Sequence, residues 1–276
     1  MVLIPATGFP IQPFPRKYRA DPVVQNSDKQ DPNIEAINRK YIKGQHKTVR
    51  PSDASTVILI DCRSGQPRML MGKRNSGVKF MPGVFVFPGG RVETADGLVP
   101  HIGSLNESDT LRLARYASGI SARRIRALAL AAIRETFEET GLRIGAKPVG
   151  PVPAKGSWRK GTWDEFVSGG LVPSVEGLHF MARAITPPGR SRRFDTRFFV
   201  LDISAYADDM IDRTTPDSEL VELRWVTLEE AMTLETVEIT RIMLEEFGQQ
   251  AMAGFPKETA KPLLRARYNR FERVQL

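Results

Sequence analysis

Apolar and polar positions alternate along this chain with two periods, and the change of period marks out its elements. The run Thr56-Val57-Ile58-Leu59-Ile60 is almost continuously apolar, which predicts a buried strand; Arg63 to Pro67 is turn-like, and Arg68 to Arg74 predicts the returning strand. Val84 to Phe87 predicts a short strand entering a turn at Gly89-Gly90, where missing Cβ atoms allow close backbone approach. The spacing then becomes helical. Ser108 to Tyr116 predicts a short capped helix, and Ser121 caps a long one over Ala122 to Glu139, with Ile125, Leu128, Ala132 and Phe137 on its core face and Gly141 as its stop. Strands return at 177–185, 196–202 and 220–226, with Pro187-Pro188-Gly189 turning between the first two. Thr227 caps a helix over Leu228 to Met232, and Val237 to Gly248 closes the series with Ile239, Ile242, Met243 and Phe247 along one side. Lys155 to Gly170 predicts a further helix whose Trp158, Trp163 and Phe166 serve core or lid packing, a base-stacking platform being the alternative. This order predicts an α/β fold, a mixed sheet with helices on both faces.

Outside these stretches the period is lost. Residues 1–52 are rich in Pro, Asn, Asp and Lys and are expected to form an extended or partly disordered basic arm, compatible with an embracing homodimer. Residues 53–253 are expected to fold as the domain, with insertions at about 97–120 and 155–170, and 254–276 to be a basic tail. The net charge of +8 suits a polyphosphate ligand and also nucleic acid, but nine Lys/Arg against four Asp/Glu fall in the first 50 residues and six against two fall after Gly254. Much of the excess thus lies outside the expected domain. No apolar run is long enough for a membrane span, and the proline-broken first 20 residues do not resemble a secretory signal. The single cysteine, Cys62, excludes an intramolecular disulfide and suits packing in a reducing compartment, so cytoplasmic placement is expected.

The most informative stretch chemically is Arg134-Glu135-Thr136-Phe137-Glu138-Glu139-Thr140-Gly141-Leu142. Residues three and four apart are helix neighbours, so Glu135, Glu138 and Glu139 converge on one patch; like charges at that spacing repel by about 0.2–0.5 kcal/mol per pair, and a divalent cation would turn repulsion into binding. A solvated acidic face is the bland alternative. Gly90 stands six positions before Asp96, ahead of this run.

Together these residues resemble the Nudix box, Gly90 matching its opening glycine and Arg134, Glu135, Glu138, Glu139, Gly141 and Leu142 its closing run. Asp96 stands where the family has glutamate, Thr136 replaces an aliphatic residue, and Gly97 to Ile133 replaces a seven-residue spacer. A long insertion of this kind, with Phe80 to Gly83 before it and Arg193 to Phe199 after it, resembles the insert-bearing branch that includes the peroxisomal coenzyme A diphosphatase. The resemblance implies a Nudix-type α/β/α sandwich and a Mg²⁺-dependent hydrolase, with Mn²⁺ as a substitute metal. Its expected substrate is a nucleoside diphosphate linked to another moiety, coenzyme A-like or nucleotide-sugar-like, cleaved by water at phosphorus. It further implies that Glu135, Glu138, Glu139 and the Gly90 carbonyl hold metal and that Arg134 partners the carboxylates. Glu219, ahead of Glu222 in the loop before Trp225, is the expected fourth ligand or general base. Arg74, Arg190, Arg192 and Arg193 are the substrate-binding candidates, through forked bonds to phosphate. The alternative of another class is a non-catalytic Nudix-fold nucleotide sensor or RNA-binding module.

Overall fold

The computed structural model describes residues 47, 49–78, 81–117, 119–204, 214–254, 261–267 and 270–276. The expected N-terminal arm lies almost wholly outside them. At the centre is β1 (Ser52–Asp61), flanked in parallel by β8 (Phe194–Asp202) and antiparallel by β2 (Arg68–Arg74). Its apolar run alternates between faces. Val57 and Leu59 enter one hydrophobic core and Ile58 and Ile60 the other, so no polar position is needed in the stretch. The first core lies under the helix α2 (Ala122–Thr140) and the second under α5 (Glu238–Met252), which makes the α/β/α sandwich expected of the sequence.

Among the described residues the main sheet runs β11-β10-β7-β8-β1-β2-β3, where β11 is Arg270–Gln275, β10 Pro262–Arg267, β7 His179–Ile185 and β3 Phe85–Val86. Beside this path β4 (Gly89–Arg91) pairs with β1 and β9 (Leu220–Val226) with β2. A small ladder joins β5 (Gly145–Ala146) to β6 (Val172–Pro173). The other α-helices among the described residues are α1 (Glu107–Ala114), α3 (Thr162–Ser168) and α4 (Leu228–Thr233).

Two expectations are corrected. Gly89-Gly90 is not a turn but a strand, paired with Thr56 and Ser55. A Cβ at Gly89 would stand 2.5 Å from the Ser55 carbonyl oxygen, so glycine is what lets the backbones approach. Residues 254–276 are likewise not merely a tail: β10 (Pro262–Arg267) adds in parallel to β7 and β11 (Arg270–Gln275) folds back on β10. Burial of Leu263, Leu264 and Leu276 drives this, and Lys261, inside the fold, donates to Gln250 on α5 at 2.6 Å. Of the charged residues that suggested a tail, Arg265 pairs with Glu272 and Arg273 with Glu246.

Helix α2 follows its sequence signals. The Ser121 side chain accepts from the Arg124 amide, and Gly141, at φ 75°, closes the other end with its amide on the Phe137 carbonyl. It is buried nearly all round from Ala127 to Arg134, because the insertion covers what would otherwise be its outer face. In α1 the cap is Asn106, two residues before the expected start, its side chain accepting from the Asp109 amide.

Candidate active site

The last two turns of α2 face β4. The Gly89 amide donates to Glu139 Oε2 at 3.0 Å, and a Cβ on Gly90 would stand 2.4 Å from the Glu135 carboxyl, so the glycine strand and the acidic run are in contact. Between them lies Arg134, 3% exposed. Its Nη1 reaches Glu135 at 3.0 Å and Glu138 at 2.9 Å, and its Nη2 donates to the Arg91 carbonyl at 2.7 Å. The remaining face of the guanidinium is taken by Asp96, which accepts from Nε at 2.8 Å and from Nη2 at 3.3 Å.

Asp96 is fully buried and also accepts from Trp163 Nε1 at 2.9 Å and the Glu93 amide at 2.7 Å. Four donors occupy its two oxygens. Asp96 is therefore a clamp for Arg134, 38 positions away in sequence.

Electrostatics follow from this crowding. Burial pushes the Glu135 carboxyl up to about 7, with Arg134 pulling it down and Glu138 pushing it further up. Glu139 is held well above the usual carboxylate range, by burial first and then by the charge of Glu135, against the pull of the Gly89 amide. Burial alone would lower Arg134, but the hydrogen bond to Asp96 and the charges of Glu135, Asp96 and Glu138 outweigh it and raise the guanidinium. Arg134 is bonded to three carboxyl groups, Asp96, Glu135 and Glu138, and burial, with mutual repulsion second to it, raises Glu135 and Glu139.

Arg74 and Glu219 form a pair at 2.8 Å whose charges both act on Glu139, which brings the expected fourth carboxylate to the site's rim. Glu222 pairs instead with Arg224 along β9. The basic hairpin tip is elsewhere. Arg192 and Arg193 line a groove of about 400 Å³ with Arg50, Ser52 and Arg91, while Arg190 is exposed on the turn. Side chains alternate along β4, so Arg91 and this groove lie on the opposite side of the strand from Glu135. Arg193 is already spent on the Thr186 and Val49 carbonyls, at 3.0 and 2.6 Å.

Two contacts have no counterpart in the sequence reading. Thr162 Oγ1 donates to Glu138 Oε1, and Trp163 reaches Asp96 as described. Trp163 was legible as a core aromatic, but no spacing signal joins Thr162 to a carboxylate 24 residues away. Cys62 is not a nucleophile candidate, since burial and then the charges of Asp202 and Asp61 push its thiol up to about 12.

Among the described residues no three His, Cys, Asp or Glu side chains stand together as a cation cage. Glu138 is turned to Thr162 and Arg134, and Glu139 to Gly89. The donor set nonetheless fits a hard divalent ion, being carboxylate oxygens beside a glycine strand with an excess of negative charge.

No protein-family model matches the chain. It is 32% identical to the acyl-coenzyme A diphosphatase NUDT19 of Gallus gallus, across 48% of this chain and 47% of that one. It is 26% identical to that of Xenopus laevis, across 59% and 53%. The chain thus spans about half the length of these curated relatives. Among solved structures, a NUDIX hydrolase from Alicyclobacillus acidocaldarius superposes with a TM-score of 0.54 at 23% identity, covering 76% of this chain and 97% of that one, a likeness of fold.

Proposed function

We propose that this chain, which has the Nudix fold and resembles its acyl-coenzyme A diphosphatases in sequence, is a divalent-metal-dependent hydrolase. Its substrate would be a diphosphate linking a nucleoside to another moiety, coenzyme A-like before nucleotide-sugar-like. The observation that carries this is the contact of Glu135 and Glu139 with the Gly89-Gly90 strand, beside a buried arginine that holds Glu135 and Glu138. The same fold hosts many chemistries, so the reading rests on the site.

Glu135, Glu138, Glu139 and the Gly90 carbonyl would hold Mg²⁺ or Mn²⁺, which when bound supplies charge neutralisation of the diphosphate and acidification of water. The chain's own residues do the rest. Arg134, anchored on Asp96, keeps Glu135 and Glu138 oriented and limits their repulsion when the site is vacant. Glu219, 56% exposed at the rim and paired with Arg74, would take a proton from water, and Arg74 would bind a phosphate oxygen. Arg190 and Arg192 would meet only a substrate that extends around β4, with Arg193 shaping that loop. No helix among the described residues is long and apolar enough to cross a membrane. With one cysteine and so no intramolecular disulfide, a reducing, cytoplasmic setting is our reading.

The test is a panel of diphosphates with Mg²⁺ or Mn²⁺, run beside Glu138→Gln and Glu139→Gln. Metal-dependent release of a monophosphate, lost in both variants, is the expected result. Tight ligand binding without products from the wild-type chain would replace the enzyme by a sensor.

A further inference from the structure

We propose that Thr162 is a positioning residue for Glu138, delivered by the helix inserted between β5 and β6; the inference rests on the metal-dependent reading above. Glu138 is the most exposed of the box glutamates, and an unrestrained glutamate there would spread over several rotamers. Two donors hold it instead. Arg134 Nη1 takes Oε2 at 2.9 Å and Thr162 Oγ1 takes Oε1. An ionised carboxylate offers about four acceptor sites, so this grip orients both oxygens and leaves lone pairs for another ligand.

The hydroxyl is not spent on its own helix. Thr162 is the first residue of α3, after Gly161 at φ 57°, and no side chain caps that end. A left-handed residue at 161 favours glycine and aims the chain so that two neighbours point into the box together. Trp163, 1% exposed, donates to Asp96, and Phe166 packs edge-on against Phe137 of α2 with ring centroids 5.1 Å apart. These two aromatics root α3 in the core. The helix therefore touches the acidic site twice, through Thr162 on Glu138 and through Trp163 on the clamp of Arg134. Both partners of α3 are themselves bonded to Arg134, so its seating sets the geometry of the metal-facing carboxylate.

The experiment measures Mn²⁺ binding to the full chain, from the electron paramagnetic resonance signal of the free ion, for wild type, Thr162→Val and Thr162→Ser. Thermal unfolding in chelator is recorded in parallel. Loss of an outer partner of a metal ligand typically weakens affinity by about tenfold or more. We expect that loss for Val, recovery for Ser, and the same midpoint in chelator for all three chains. The metal concentration for half-maximal turnover should move with affinity, while KM for the diphosphate at saturating metal stays put. Equal Mn²⁺ affinity in wild type and Thr162→Val overturns the inference alone, as does a loss that Ser does not restore. A wild-type chain that binds no Mn²⁺ overturns both it and the reading beneath it.

Discussion

Replacing Asp96 by asparagine separates a clamp from a metal ligand, because the two roles predict stability changes of opposite sign. Oδ1 accepts from Arg134 Nε and Trp163 Nε1, and Oδ2 accepts from Arg134 Nη2 and the Glu93 amide. Asparagine keeps one oxygen, so whichever way the amide is turned, its NH₂ meets two donors and two bonds are lost. Each donor left unpaired in the core costs about 1–3 kcal/mol, and breaking a buried ion pair by removing one charge costs about 3–5 kcal/mol. With Asp96 fully buried and Arg134 at 3% exposure, little solvent can compensate. A loss of about 3–5 kcal/mol is expected, or roughly 6–20 °C in midpoint at about 2–4 °C per kcal/mol for a domain of this size. The assay is calorimetric unfolding in chelator, with denaturant unfolding as a check. Were Asp96 a metal ligand, removing one charge from an acidic cluster would leave the metal-free chain as stable as before or more so. An unchanged or raised midpoint in chelator would therefore refute the clamp.

Trp163→Phe removes the donor to Asp96, worth about 1–3 kcal/mol, and also part of a buried ring, so a loss toward the top of that range is expected by the same unfolding assay. For pH, the Glu135 carboxyl is raised to about 7 from 4.5, so the stability it contributes is whole below about 4.5 and is lost as pH climbs through 7. That loss is on the order of 3 kcal/mol in the metal-free chain. Glu135→Gln should flatten the fall in midpoint between pH 5 and 8.5, Mg²⁺ should restore stability most at the alkaline end, and parallel slopes in variant and wild type would count against the assignment. Leu263→Ala should cost about 2–5 kcal/mol, since Leu263 is fully buried on β10; a change within 0.5 kcal/mol by denaturant unfolding would mean that the hairpin is a dispensable appendage.

What sequence alone determined is what depends on neighbours along the chain. Helix α2 has its cap at Ser121, its stop at Gly141, its apolar stripe and its three glutamates within one stretch of backbone, and periodicity exposes all of them. The apolar run of β1 signals burial on both faces for the same reason. Only the tertiary structure decided which acids line the candidate site and which hold it up. Asp96 and Glu135 differ little as residues; one is turned to four donors and closed off, while the other is left with its charge undercompensated. Thr162 meets Glu138 because α3 is rooted through Trp163 and Phe166, a contact made by packing between segments that no spacing rule relates. The C-terminal basic residues read as a tail for the same cause. Glu272 meets Arg265 when β11 folds back on β10, and Glu246 on α5 meets Arg273 once that hairpin is seated beside β7. Local signals are short-ranged because a helix or strand is, whereas ion pairs and sheet edges are set by where whole elements come to rest.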